Sequence, residues 1–191
     1  MTDSHDPRPA VLRAGDLPVS RSGGRTMRRI ASGGPDGAAW GVSLLDLERP
    51  GELPAAAGAE RVLTVVDGEL LVLGLDGREQ ALERHRPLRL PADVPAAAAL
   101  PTGPVRVLDV LAARGAVRAH VVVLELSRKR PHPVRADQLA VLLTGRATAA
   151  VDGTEAELGP YDTVRGAEPR TPELTGRGFL AVVSLAPPAQ G

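Results

Sequence analysis

The chain has 191 residues, 43% of them apolar, with no cysteine and with 23 Lys plus Arg balanced by 23 Asp plus Glu. The lack of cysteine excludes disulfides, thiolate metal sites and cysteine nucleophiles. A net charge of zero leaves no field drawing the whole molecule to nucleic acid or an anionic membrane, and the only aromatic residues, Trp40, Tyr161 and Phe179, are too few to stack a run of bases.

The N-terminal stretch MTDSHDPRPA is polar and has no apolar segment, so no secretory signal is expected and residues 1–9 read as a disordered tail. No apolar run reaches the roughly 20 residues of a membrane helix. A cytoplasmic protein is expected. Leu17 to Ile30, LPVSRSGGRTMRRI, carries Arg21, Arg25, Arg28 and Arg29 and no acid. Gly23-Gly24 would let backbone N–H groups form an anion-binding nest. Arg21 and Arg28 could clamp a carboxylate, and Thr26 could add a hydroxyl. The spacing is not that of a phosphate-binding Walker loop. The alternative is a solvated loop.

Next comes WGVSLLDL, residues 40–47, with Trp40, Val42 and Leu44 on one face and Ser43 on the other. Trp40 reads first as a filler for a ring-poor core and second as a pocket wall. Strand-length apolar runs follow at 62–66 (VLTVV), 70–75 (LLVLGL), 105–111 (VRVLDVL), 121–126 (VVVLEL), 139–143 (LAVLL) and 179–185 (FLAVVSL). Asp67-Gly68, Asp76-Gly77 and Asp152-Gly153 lie between such runs and have the chemistry of tight hairpin turns. Asp109 interrupts an apolar strand and needs a partner. Arg61, just before another strand, is the expected one. RKRPHPVR, residues 128–135, reads as an exposed basic loop, and residues 187–191 as a loose tail.

The pattern also repeats. Gly68, Gly77, Leu82 and Leu88 are echoed at similar spacing by Gly145, Gly153, Leu158 and Val164, with a polar bend, ERHRP or GPYD, before the last of each set. With 18 prolines and 21 glycines and no amphipathic helix, the chain is expected to be all-β with little helix, built as a duplicated barrel.

Three segments in order resemble the HutD/Ves family of bicupins, within the RmlC-like cupin superfamily. LPVSRSGGRTMRRI is similar to the family's Pro-Trp-Lys/Arg-Asn-Gly-Gly-Gly-Thr-Thr-x-Glu-Ile signature. WGVSLLDLERPGELPAAAGAERVLTVVDGE resembles its Trp-Arg-x-Ser segment and the Gly-x-Asp-Arg-x-Leu run after it. GPVRVLDVLAARG resembles its Gly-Pro-x-x-Asp-Leu-Asn-Val-Met-x-Arg-x-Gly run. The chain departs at several positions: Ser20 and Ser22 replace the family's tryptophan and asparagine, Arg29 its glutamate, Gly41 an arginine, and Asp109 an asparagine.

The resemblance implies two jelly-roll halves, residues 10–116 and 117–186. It also implies a ligand site near Arg21, Gly23, Gly24, Thr26, Arg28, Trp40, Ser43, Arg61 and Asp109. The implied ligand is a small anionic metabolite of formyl- or formimino-glutamate type, held in a sensing or regulatory role linked to histidine utilisation. Catalytic residues, cofactor and metal are not expected: His5, His85, His120 and His132 form no His-x-His pair, and first-row metals want several such ligands converging. A homodimer is expected, with no nucleic acid or membrane partner. Two alternatives stand beside this reading. One is a metal-free isomerase or hydrolase using Tyr161 and a histidine brought near it; the other is a non-catalytic dimeric scaffold.

Overall fold

The computed structural model describes residues 9–188. Most of the expected N-terminal tail, with His5, and residues 189–191 lie outside them. Among the described residues the only helical pieces are 3-10 turns at Ala14–Asp16 and Pro35–Gly37, and no helix is long and apolar enough to cross a membrane. The rest is strand and turn, as the short β-branched runs and abundant Gly and Pro dictate.

The described chain opens with strand β1 (Val11–Leu12), which belongs to the second of two compact units. The first unit spans Leu17–Val121 and includes residues 185–188. Its strands are β2 (Val19–Ser22), β3 (Arg25–Gly33), β4 (Trp40–Leu47), β5 (Gly51–Leu53), β6 (Ala59–Asp67), β7 (Leu70–Leu75), β8 (Arg78–Glu83), β9 (Leu88–Pro91), β10 (Ala96–Ala99) and β11 (Val105–Ala113). They form a six-stranded sheet, β2-β3-β4-β11-β6-β9, and a four-stranded sheet, β5-β10-β7-β8. A core of Leu45, Leu47, Leu63, Val65 and Val107 from one sheet and Leu53, Leu71, Leu73, Leu82 and Ala98 from the other lies between them. Each fully buried leucine contributes about 2 kcal/mol, which lets a core without rings suffice.

The second unit takes in residues 9–16 and Val122–Ser184. Its strands are β12 (Arg118–Glu125), which begins at the boundary, β13 (His132–Pro133), β14 (Gln138–Leu142), β15 (Arg146–Val151), β16 (Thr154–Leu158), β17 (Thr163–Arg165), β18 (Glu173–Arg177) and β19 (Phe179–Ala186). The sheets are β1-β17-β14-β19-β12 and β13-β18-β15-β16. Leu142, Val164 and Leu180 from one meet Ala149, Leu158 and Leu174 from the other in a second core. Adding eight to each strand of β4-β11-β6-β9 gives β12-β19-β14-β17, and adding eight to β5-β10-β7-β8 gives β13-β18-β15-β16.

Turn chemistry agrees with that numbering. Asp76-Gly77 (φ 48 and 75) and Asp152-Gly153 (φ 48 and 78) are two-residue turns with both residues left-handed, the geometry that joins twisted strands. Asp67 instead ends β6, and only Gly68 of the Asp67-Gly68 pair turns left-handed. Gly68 and Gly145 hold one role: a Cβ on either would come within 2.8 Å of Pro104 O or 2.0 Å of Arg177 O. The polar bends also match, because His85 (φ 64) and Tyr161 (φ 67) both turn left-handed and donate their N–H groups to Val65 O and Leu142 O.

LPVSRSGGRTMRRI is not a loop. It is the β2–β3 hairpin, with Gly23-Gly24 (φ 59 and 77) as its two-residue turn. The physical reason lies in the pairing of β3 with β4: Met27, Ile30 and Ala31 supply enough apolar surface to seat β3 on the sheet despite its three arginines.

Candidate functional site

The inward face of the six-stranded sheet changes character along its length. Deep in the first unit, alternate positions carry Leu45, Leu47, Val65 and Val107. Further along the same strands the inward row is Arg29, Ser43, Asp109 and Leu63, side by side across β3, β4, β11 and β6. The next row is Gly41, Leu111, Arg61 and Leu90. Because a strand's side-chain period is two, one register sets both the apolar floor and this polar end.

Arg61 and Asp109 are 2% and 6% exposed, and Arg61 Nε lies 3.1 Å from Asp109 Oδ1, in ion-pair contact but off the line of a hydrogen bond. Arg61 Nη2 donates to Pro54 O at 3.2 Å, while Arg61 Nη1 is buried with no acceptor. Burial pushes the Asp109 carboxyl up from its ordinary value; the charges of Arg61 and, more weakly, Arg29 pull the other way and do not overcome it. A buried guanidinium with one donor unsatisfied is an expensive arrangement.

Beside this pair opens a cavity of about 260 Å³ lined by Arg29, Trp40, Gly41, Ala59 and Leu111, with small alanines of the 37–39 and 56–57 loops at its rim. The Arg29 side chain is exposed and makes no hydrogen bond or ion pair among the described residues. Its Nη1 lies 3.1 Å from where a Cβ on Gly41 would stand, so the guanidinium uses space that any side chain at 41 would contest. The Trp40 ring lies across Gly33, where a Cβ would come within 2.5 Å of it. An apolar wall, small-residue loops and an unpaired cation together suit a small ligand bearing a carboxylate.

The expected pairing of Arg61 with Asp109 forms, and Ser43 stands in register beside Asp109. Trp40 is half-buried and walls the cavity; it is not part of the apolar core. The other expected members are elsewhere. Arg25 pairs with Leu47, whereas Arg29 pairs with Ser43, so the Gly23-Gly24 turn lies beyond a point four residues, about 13 Å, from the Asp109 row. The glycine pair is therefore a hairpin turn away from the cavity. Arg21 is exposed on the outer strand β2. Thr26 pairs with Asp46, and Arg28 with Arg106 grips the Asp46 carboxylate from both sides. Partial burial pushes that carboxyl up, but Arg106 and Arg28 together hold it below its ordinary value. Arg28 is thereby neutralised within the sheet. Arg29 and Gly41, first seen only as departures from a motif, are the residues that shape the cavity; alternation from Met27 would have found Arg29, had β3 been recognised as a strand.

In the second unit Tyr161 occupies the bend between β16 and β17, and His132 lies on β13 opposite Leu174. Burial pushes the His132 imidazole below its ordinary value. Among the described residues no three His, Asp or Glu side chains group in a way that could hold a metal ion.

Three solved structures share this architecture. A conserved protein of unknown function from Pseudomonas aeruginosa PAO1 superposes with a TM-score of 0.80 at 22% identity, over 94% of this chain and 98% of that one. HutD from Pseudomonas fluorescens SBW25, solved in a formate condition, gives 0.74 at 24%, over 93% and 97%. A cupin 2 conserved barrel domain protein from Leptotrichia buccalis gives 0.63 at 13%, over 93% and 97%. At such identities the likeness establishes the fold, a cupin-type jelly roll. No curated protein matches the chain. The HutD family model matches residues 21–182, from the β2–β3 hairpin to β19 and through every strand of the candidate site, and the chain belongs to the HutD family.

Proposed function

We propose that this chain is a HutD-type bicupin that binds a small anionic metabolite at the cavity of its first unit. The ligand is a formyl- or formimino-glutamate-like carboxylate, and the role is sensing linked to histidine utilisation. The observation that carries the reading is Arg29: an unpaired guanidinium at a cavity mouth, beside a buried Arg61 that still has a donor to give. A carboxylate would accept from Arg29 in the fork geometry that guanidinium groups favour. Trp40 and Leu111 would cover its carbon skeleton. The family's motif expects an acid at 29 and an arginine at 41. Here the cation comes from 29, and Gly41 leaves it room, which supports an anion site with its positive charge moved one strand over.

The offset of eight in strand order, with matched left-handed residues at His85 and Tyr161, supports an origin by duplication. In this reading the protein works in the cytoplasm, without metal, as a homodimer. The test is thermal unfolding with formyl-glutamate, formimino-glutamate, glutamate and formate, for wild type and Arg29→Ala. A binder present at a hundred times its Kd raises stability by about 2.7 kcal/mol, so a shift abolished by Arg29→Ala is expected. No shift with any of them at millimolar concentration overturns the reading.

A further inference from the structure

A second site stands on the outer face of the β13-β18-β15-β16 sheet, within the second unit. Ala147 and Ala149 are buried, so Arg146 and Thr148 of β15 point outward. In register, Arg146 stands directly opposite Arg177 of β18, and Thr148 opposite both Thr175 of β18 and Glu157 of β16. Side chains so paired share a face with Cβ atoms about 5 Å apart, where like charges repel. Among the described residues neither the Arg146 nor the Arg177 side chain has a hydrogen-bond or ion-pair partner.

A third arginine joins them. Gly176 N donates to Ser127 O at 3.3 Å, which ties the start of the RKRPHPVR segment to β18. Ser127 Oγ accepts the N–H groups of Lys129 and Arg130 at 3.1 and 3.2 Å and fixes the turn that carries Arg128. Arg128, likewise unpartnered, lines with Arg146, Thr148, Thr175 and Glu157 a groove of about 340 Å³. The carboxylate in this groove, Glu157, is engaged by Thr148 Oγ1 at 3.0 Å. Glu155 and Glu173 face out one pair further along, opposite Ala150, so acid and base are segregated along the face.

We propose that this groove is an oxyanion site for a small phosphomonoester, independent of the cavity in the first unit. A doubly charged phosphate would bridge Arg128 and Arg146 and relieve the repulsion between Arg146 and Arg177. Guanidinium groups present paired donors that match phosphate oxygens. Thr175 can add a hydroxyl, and Glu157 can accept from a hydroxyl on the ligand's carbon skeleton.

The test is phosphorus NMR and calorimetric titration of the full chain with inorganic phosphate and with ribose 5-phosphate. Wild type, Arg146→Gln, Arg146→Gln/Arg177→Gln and Arg29→Ala are compared. Binding that weakens about tenfold in Arg146→Gln, weakens further in the double variant and is unchanged in Arg29→Ala is the expected result. Because each glutamine removes like-charge repulsion, these variants should unfold at or above the wild-type temperature, so loss of binding cannot come from loss of fold. No binding of either probe at millimolar concentration overturns the proposal, as does binding that survives in the double variant. Loss in Arg29→Ala with retention in the double variant would place the phosphate in the first unit and overturn it equally.

Discussion

Arg61 Nε lies 3.1 Å from Asp109 Oδ1 with side chains only 3% and 7% exposed, so neither charge has water to fall back on. Removing one partner strands the other. Arg61→Met and Asp109→Leu are each expected to lower stability by about 3–5 kcal/mol, whereas the two substitutions together should recover most of the loss. Urea unfolding of the four proteins checks this as a double-mutant cycle, and the pair's structural role fails if the combined variant is no more stable than the worse single one. Burial raises the folded carboxyl above its unfolded value. Asp109 therefore favours folding most below the unfolded value, near pH 3.9, and that contribution is lost as pH rises through the folded pKa.

Asp162 shows the opposite sign. Partial burial pushes its carboxyl up, but the N–H of Ala14, the Arg13 guanidinium and the N–H of Gly159 together hold it below its ordinary value. Its stabilisation is fully present above the unfolded value, near pH 3.9, and drains away as pH falls through the lower, folded pKa. Asp162→Ala should cost about 2 kcal/mol at pH 7, and the gap to wild type should close on acidification toward pH 2. Denaturant unfolding over that range decides it; a gap constant with pH would assign the loss to packing.

Trp40 is the chain's only tryptophan and walls the cavity that Arg29 enters. Its emission should therefore change when a carboxylate ligand binds, with a midpoint that matches the thermal-shift titration. Gly33→Ala, whose Cβ would lie 2.5 Å from the ring, should alter the emission of the free protein and weaken binding severalfold. An unchanged spectrum at saturating ligand would put the ligand elsewhere.

The Gly23-Gly24 turn separates two roles that look alike on paper. Asn accepts left-handed geometry in a two-residue hairpin turn, so Gly23→Asn should leave stability within about 0.5 kcal/mol and leave ligand affinity unchanged. Affinity lost without stability in calorimetric titration would restore the nest.

The sequence reveals its sheets through particular residues. Asp76-Gly77 and Asp152-Gly153 announce hairpins because few dipeptides accept two left-handed angles, and six apolar runs of strand length all became strands. The Arg61–Asp109 pair was legible too, since a lone acid in an apolar strand demands a cation. The β2–β3 hairpin was obscured by its arginines, of which Arg28 finds its acid only once pairing with β4 brings it, with Arg106 of β11, onto Asp46. The same obstacle hid Arg29. Alternation from Met27 reaches Arg29 before the bulge between Arg29 and Ala31, so what was missing was only that this segment is a strand.

The two residues of β1 cover the outer edge of β17, with Val11 opposite Val164, and Arg13 reaches Asp162 across 149 positions of sequence. The segment nearest the start of the described chain thus seals the unit built nearest its end. During synthesis it must stay unpaired until almost everything else has emerged from the ribosome. A fragment cut to begin at β12 would expose the bare backbone of β17 as an open seam, inviting strands from other copies to occupy it.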